Sequence, residues 1–345
     1  MAYISFQPSD YFNTKLYTGT DSSNAITGVG FQPDWVWLKK RSGVASHALM
    51  DAVRGNDKSL RSNTTGAEYT NTYFSSFDSD GFTVATSESD VNASGATYVS
   101  WNWKANGAGS SNSDGSTSST VSASTTSGFS IVKYTNPSSG SPFTVGHGLG
   151  AKPTLVITKK LNGTQTWGVY HIGSGFGKYL RLDDTAVEAS ANLVTATSTT
   201  TYSTYKDHHD TGDEIIAYCF APIKGFSAIG SYTGNGEPSQ NAPFIYTGFK
   251  PAFLLVKSST FAEPWFINDS KRSPTGGTNP NSYYMRPNTT EAEGTSTGNS
   301  IDLMSNGFKL QNNDNAYNKN GQTYIYLAIA EHSLVSSNGV PTTAR

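Results

Sequence analysis

Residues 206–214, KDHHDTGDE, crowd two histidines and four acids into nine positions. Folded back as a loop, such a segment can gather Asp207, His209 and Asp210 around a cation. Structural metal sites pair their ligands at defined spacings, which this run lacks. A solvated loop is therefore the expected reading, and no metal is assigned. DSDG at 78–81 starts like a calcium loop but lacks the bidentate glutamate that closes one. A type I′-like hairpin turn is expected there. GHGLGA at 146–151 matches the dinucleotide fingerprint in letters. That motif needs a helix after its glycines, and here Pro153 and the strand-like TLVIT follow, so it reads as a turn. Trp167 and Trp265 are the candidates for stacking on a receptor sugar. Buried, they would only plug the end of a sandwich, which favours a purely structural role. Asp51 with Arg54 and Asp269 with Arg272, together with Arg61, Arg181 and Arg286, are expected to form ion pairs that pin loops, a task suited to the rigid guanidinium fork. No H-E-x-x-H, G-x-S-x-G or Walker motif occurs, no cofactor is expected, and an enzyme is not.

These residues fall at repeated places. GFQPDWVWLKK (30–40), GAKPTLVITKK (150–160) and GFKPAFLLVK (248–257) are variants of one phrase. Fourteen residues past Pro33, Pro153 and Pro251 stand His47, Trp167 and Trp265; eighteen past them stand Asp51, His171 and Asp269. LRSNTTGAE (60–68) returns as LRLDDTAVE (180–188) and MRPNTTEAE (285–293), and each copy closes on a strand-like run, YVSWNWK, IIAYCFA or YIYLAIA. The period is 120 and then 98 residues, too long for solenoid or propeller units. The reading is an internal triplication into three β-sandwich domains, 1–104, 128–225 and 226–331. A Gly/Ser/Thr-rich linker at 105–127 has little to bury, and a tail covers 332–345.

After each proline the chain is apolar on both alternating faces, as in a strand enclosed between layers. The first closing run has Val99, Trp101 and Trp103 on one face and Ser100, Asn102 and Lys104 on the other, which predicts half burial. Cys219 should be an inert buried thiol. The fold class is all-β, antiparallel, with no helix beyond a turn or two. Charged residues make up 14% of the 345 and the net charge is −2, so neither nucleic acid nor an anionic membrane is an expected partner. No run of eighteen apolar residues occurs, and the start, MAYISFQPSDYF, reads as no signal peptide.

FQPSDYFNTKLYTG, GVGFQPDWVW, WNWKANGAGSSN, GHGLGAKP, IAYCFAP and VSSNGVPTTAR, in this order, resemble a β-rich repeat family of tailed phages that infect marine bacteria and cyanobacteria. The resemblance implies a virion-associated protein, met near tail or fibre genes, whose partners are other virion proteins, copies of itself and a host-surface glycan. It carries over no catalytic residues. Tail fibre, spike or adhesin is the leading expectation, and a capsid decoration or connector protein is the alternative.

Overall fold

The computed structural model describes residues 6–85, 88–137, 142–205, 210–272, 279–296 and 300–331. Each proline-led phrase becomes a strand: Trp35–Lys40, Leu155–Lys160 and Pro251–Ser258. Each is the inner strand of an antiparallel sheet and pairs on one side with the closing strand of its unit. These closing strands are Thr97–Trp103, Glu214–Phe220 and Thr323–Ala330. The registers correspond, with Trp35 opposite Trp103, Leu155 opposite Phe220 and Phe253 opposite Ile329. Beyond the closing strand lies Phe12–Thr18, Phe129–Thr135 or Ser227–Thr233. On the other side lies Ala48–Asp51, Gly168–His171 or Phe266–Asp269. Among the described residues the one α-helix is a single turn, Asn315–Asn318.

A smaller three-stranded sheet covers each main sheet from outside. It comprises Asn24–Thr27, Gly81–Val84 and Phe74–Asp78 in the first unit. In the second it comprises Phe143–Gly146, Thr201–Thr204 and Ala196–Thr197, and in the third Phe244–Tyr246, Gly307–Leu310 and Ile301–Met304. Each unit is thus a two-layer sandwich with its own apolar filling.

The alternation of side chains explains why the phrase is apolar on both faces. Val36 and Leu38, Val156, and Leu254 and Val256 point into their own sandwiches. Trp35 and Trp37, Leu155 and Ile157, and Phe253 and Leu255 point the other way, into one core common to all three units. Val99, Trp101 and Trp103 join them there, with Ile216, Tyr218 and Phe220 and with Ile325, Leu327 and Ile329. Trp35 stacks on Tyr218 of the second unit at 4.3 Å, and Phe12 meets Phe253 of the third at 5.5 Å.

Two expectations are corrected here. Segment 105–127 is not a spacer. Ser110–Asn112 and Ser119–Ser124 are strands at the edge of the second main sheet, and Val121 is buried in that unit's core. Its hydroxyls find backbone partners, with Ser122 Oγ accepting from Asn106 N at 2.8 Å and Ser119 Oγ donating to Gly146 O at 3.2 Å. Polar composition alone could not reveal that pairing. The segment is also tied back to the first unit, where the Asp34 carboxylate accepts from the amides of Ala105 and Gly107. Second, the first closing strand is enclosed on both faces. Ser100 and Asn102 are buried, and Asn102 Nδ2 donates to Asn13 O at 2.9 Å and Ser100 Oγ at 3.0 Å. The tail at 332–345 lies outside the described residues.

Candidate functional site

The residues singled out by type and spacing meet at the seams between units. Trp167 Nε1 donates to Arg61 O of the first unit at 3.0 Å, and Trp265 Nε1 donates to Arg181 O of the second at 2.7 Å. His47, at the matching place in the first unit, donates through Nε2 to Arg286 O of the third at 3.1 Å. Around the same circuit Glu68 N donates to Leu161 O, Glu188 N to Ser259 O and Glu293 N to Arg41 O. The circuit closes, and each unit contacts both others.

Both indoles are buried, so Trp167 and Trp265 offer no ring face to a sugar and are not receptor contacts. A buried indole must place its N–H on an acceptor, and here that acceptor belongs to the neighbouring unit. The arginines in the shared phrase serve through their main-chain carbonyls. Their side chains form ion pairs within their own units, Arg61 with Asp90, Arg181 with Asp184 and Arg286 with Glu291.

The Asp51–Arg54 and Asp269–Arg272 pairs are present, each at 2.5 Å with both side chains fully enclosed. They do more than pin a local loop. Asp51 Oδ2 also accepts from Tyr218 OH of the second unit at 2.7 Å, and Asp269 Oδ2 accepts from Trp101 Nε1 of the first at 2.9 Å. At the third such place stands His171. Its Nδ1 accepts from Gly173 N at 2.9 Å, as Asp51 Oδ1 does from Val53 N and Asp269 Oδ1 from Lys271 N. The closing strand facing it carries Leu327, which has no donor, and His171 Nε2 donates instead to Tyr326 O at 3.1 Å. Burial holds His171 down at about 4. His47 is also pushed well below the usual range, by burial first and by the charge of Lys39 second. Both act as neutral imidazoles with the proton on Nε2.

The lysine six residues past each proline recurs in all three copies of the phrase, at equivalent places on the same strands. Lys39, Lys159 and Lys257 are buried, and desolvation lowers each to about 8. Lys39 Nζ donates across a seam to Thr290 O at 3.3 Å, and Lys159 Nζ to Thr65 O at 3.1 Å. Lys257 Nζ donates within its own unit to Ser258 O at 2.6 Å.

Of the cation candidates, Asp207 and His209 lie outside the described residues. Asp210 is exposed, and its amide donates to Asp213 Oδ2 at 2.8 Å. No cluster of three metal-ligating side chains occurs among the described residues. At 78–81 Ser79 and Asp80 both have negative φ, so the turn is not type I′. Asp80 instead accepts from the amides of Gly28 and Gly30 at 2.9 and 2.7 Å. GHGLGA is a turn, with Gly148 and Gly150 at φ 68° and 67°. Cys219 is unpaired and buried, and burial pushes its thiol up to about 12. A surface groove of about 380 Å³ lined by Gln32, Asn56, Ser75, Ser76 and Phe77 holds none of these candidates.

The outer sheets differ where the main sheets agree. Flanking the inward Ile26 stand Ala25 and Thr27, and flanking Val145 stand Thr144 and Gly146. Flanking Ile245 stand Phe244 and Tyr246, both exposed. Met304, opposite Gly307 on the adjoining strand, is exposed as well. This feature was missed in the sequence. The register sets FIY (244–246) against AIT (25–27), where both outward positions become aromatic in the third copy.

No curated protein and no solved structure matches the chain. Residues 7–333, nearly the whole length, match the family described as a domain of unknown function (DUF7483), and the chain belongs to that family.

Proposed function

We propose that the chain is a structural component of a phage particle, tail-associated as the sequence resemblance implies. One observation carries the structural reading. The aromatic, histidine and Asp–Arg side chains that could have done chemistry are committed to the seams between units, buried and bonded. A body closed in this way is stiff, with little charge on its surface. Such a body suits a part that must hold shape within an assembly of other virion proteins and copies of itself, as a tail element or as a capsid decoration. Attachment to a host surface is favoured by a separate observation, the exposed aromatics of the third outer sheet.

Mass spectrometry of purified virions from the phage that encodes the chain tests the proposal, followed by gold-labelled antibody on intact particles. Label on the tail is expected. Label confined to the capsid lattice moves the assignment to a decoration protein, and absence of the chain from purified virions overturns the particle reading.

A further inference from the structure

The three outer sheets are built on one register, so their outward faces can be compared position by position. In the first unit the outward set is Ala25, Thr27, Ser76, Asp78 and Thr83, and in the second Thr144, Gly146, Ala196, Thr201 and Ser203. In the third it is Phe244, Tyr246, Asp302, Met304 and Lys309. The scaffold is therefore indifferent to what stands here, and folding does not call for two exposed aromatic rings. Phe244 is 45% exposed, Tyr246 63% and Met304 39%.

Gly307 lies between Tyr246 and Met304 in the register, and its missing side chain leaves room for a neighbouring ring. A Cβ there would come within 2.1 Å of Ile245 O and 2.9 Å of the tip of the Phe244 ring. The Phe244 ring thus leans over Gly307 and the Tyr246 ring reaches back towards Gly248, so that with Met304 they form a shallow apolar shelf. Polar groups edge it. Lys309 Nζ donates to Gln240 O and Ala242 O at 3.2 and 2.8 Å, and its third proton remains for a ligand. Asp302 Oδ2 accepts from Gln311 Nε2 at 2.6 Å, which orients the carboxylate.

We propose that this face is a saccharide-binding site. The size of the patch decides against a protein partner. Its three apolar side chains expose about 300 Å² for residues of this bulk, whereas a stable interface buries about 800 Å² per partner. The chemistry decides for a sugar. A pyranose ring presents polarised C–H groups on one face, which suit the negative face of an aromatic ring. Its hydroxyls around the edge both donate and accept, and a carboxylate beside an ammonium supplies the complement. Phe244 and Tyr246 sit two residues apart on one strand, about 7 Å by the rise of a strand, so a short oligosaccharide can engage both. The inference goes beyond the particle assignment, because the isolated chain tests it whether or not the chain is found in virions.

The test is isothermal titration of the purified full chain against a panel of soluble oligosaccharides of glucose, mannose, galactose, rhamnose and N-acetylglucosamine. At least one member is expected to bind. Phe244→Ala and Tyr246→Ala should each weaken that binding at least tenfold, Tyr246→Phe should keep it, and the double alanine variant should lose it. Both side chains removed are at the surface, so the thermal midpoint should stay unchanged, as it should for Val44→Ala, an exposed apolar control that leaves binding intact. The proposal fails if no member of the panel binds or if the double alanine variant binds as the parent does. It also fails if sedimentation shows the parent self-associating and the double variant not, since the face would then join copies of this chain.

Discussion

At the scale of residues, the seams show how one position is solved in two ways. Asp51 and Asp269 face donors on the neighbouring closing strand, Tyr218 OH and Trp101 Nε1. An acid there needs a buried counter-charge, and Arg54 and Arg272 supply it. His171 faces a backbone carbonyl instead, so a neutral donor suffices, and Ser174 stands where the arginines would be. Arg272→Leu should therefore cost about 3–5 kcal/mol in denaturant unfolding, since it strands the Asp269 carboxylate in the interior. His171→Asp should be similarly damaging alone. Adding Ser174→Arg should recover part of the loss, a coupling that a double-mutant cycle would read. An additive outcome would mean that the spacing between aspartate and arginine is not the working unit. The sequence spacing exposed the pairs, but it could not show that each one reaches into another unit.

At the scale of elements, the outer sheets depend on close backbone approach at particular glycines. A Cβ on Gly81, at φ 147°, would lie 1.9 Å from Ile26 O on the paired strand. Gly81→Ala should push the two strands apart and lower the thermal midpoint by well over the shift for Gly95→Ala. At Gly95 the φ is 72° and the space is open, so only the backbone conformation is strained, at about 1–2 kcal/mol. Equal shifts at the two sites would refute the close-approach argument. Consecutive letters do not distinguish the two glycines, because the contact that does so is made by a strand more than fifty residues away.

At the scale of the whole molecule, one core is filled from all three units, so the units should not melt separately. Calorimetry is expected to show a single cooperative transition, and separate peaks would mean that the seams contribute little. The titrating groups also give the molecule a pH signature. Buried His47 and His171 have lowered affinities for protons, so the unfolded chain takes up protons first as pH falls. Stability is then lost from pH 6.5 down towards 4, the value of His171. Lys39, Lys159 and Lys257 are also lowered, to about 8. Their cost is full below pH 8 and is relieved between 8 and 10, where the unfolded lysines still hold protons that the folded ones have lost. Above pH 10 the buried tyrosines reverse the trend, because Tyr202, Tyr218 and Tyr232 resist ionisation only in the folded chain. Lys39→Met with Lys159→Met should reduce the rise between 8 and 10 to the part that Lys257 contributes. It should do so without opening the seams, since Thr290 O and Thr65 O also accept from Ala45 N and Gln165 N. An unchanged pH profile of the thermal midpoint would show these lysines titrate normally.

By itself the sequence determined the all-β class, the strands that follow Pro33, Pro153 and Pro251, their burial on both faces and the burial of Cys219. Those properties depend on local turn chemistry and on the two-residue period of a strand, both of which are written in consecutive letters. Only the tertiary structure decided what lies against each face. It turned Trp167 and Trp265 from sugar-stacking candidates into seam donors, and 105–127 from a spacer into two strands. It also drew attention to Phe244 and Tyr246 as aromatics left outside. The reason is that a side chain's role here depends on which unit packs opposite it, and that partner lies tens to hundreds of residues away along the chain.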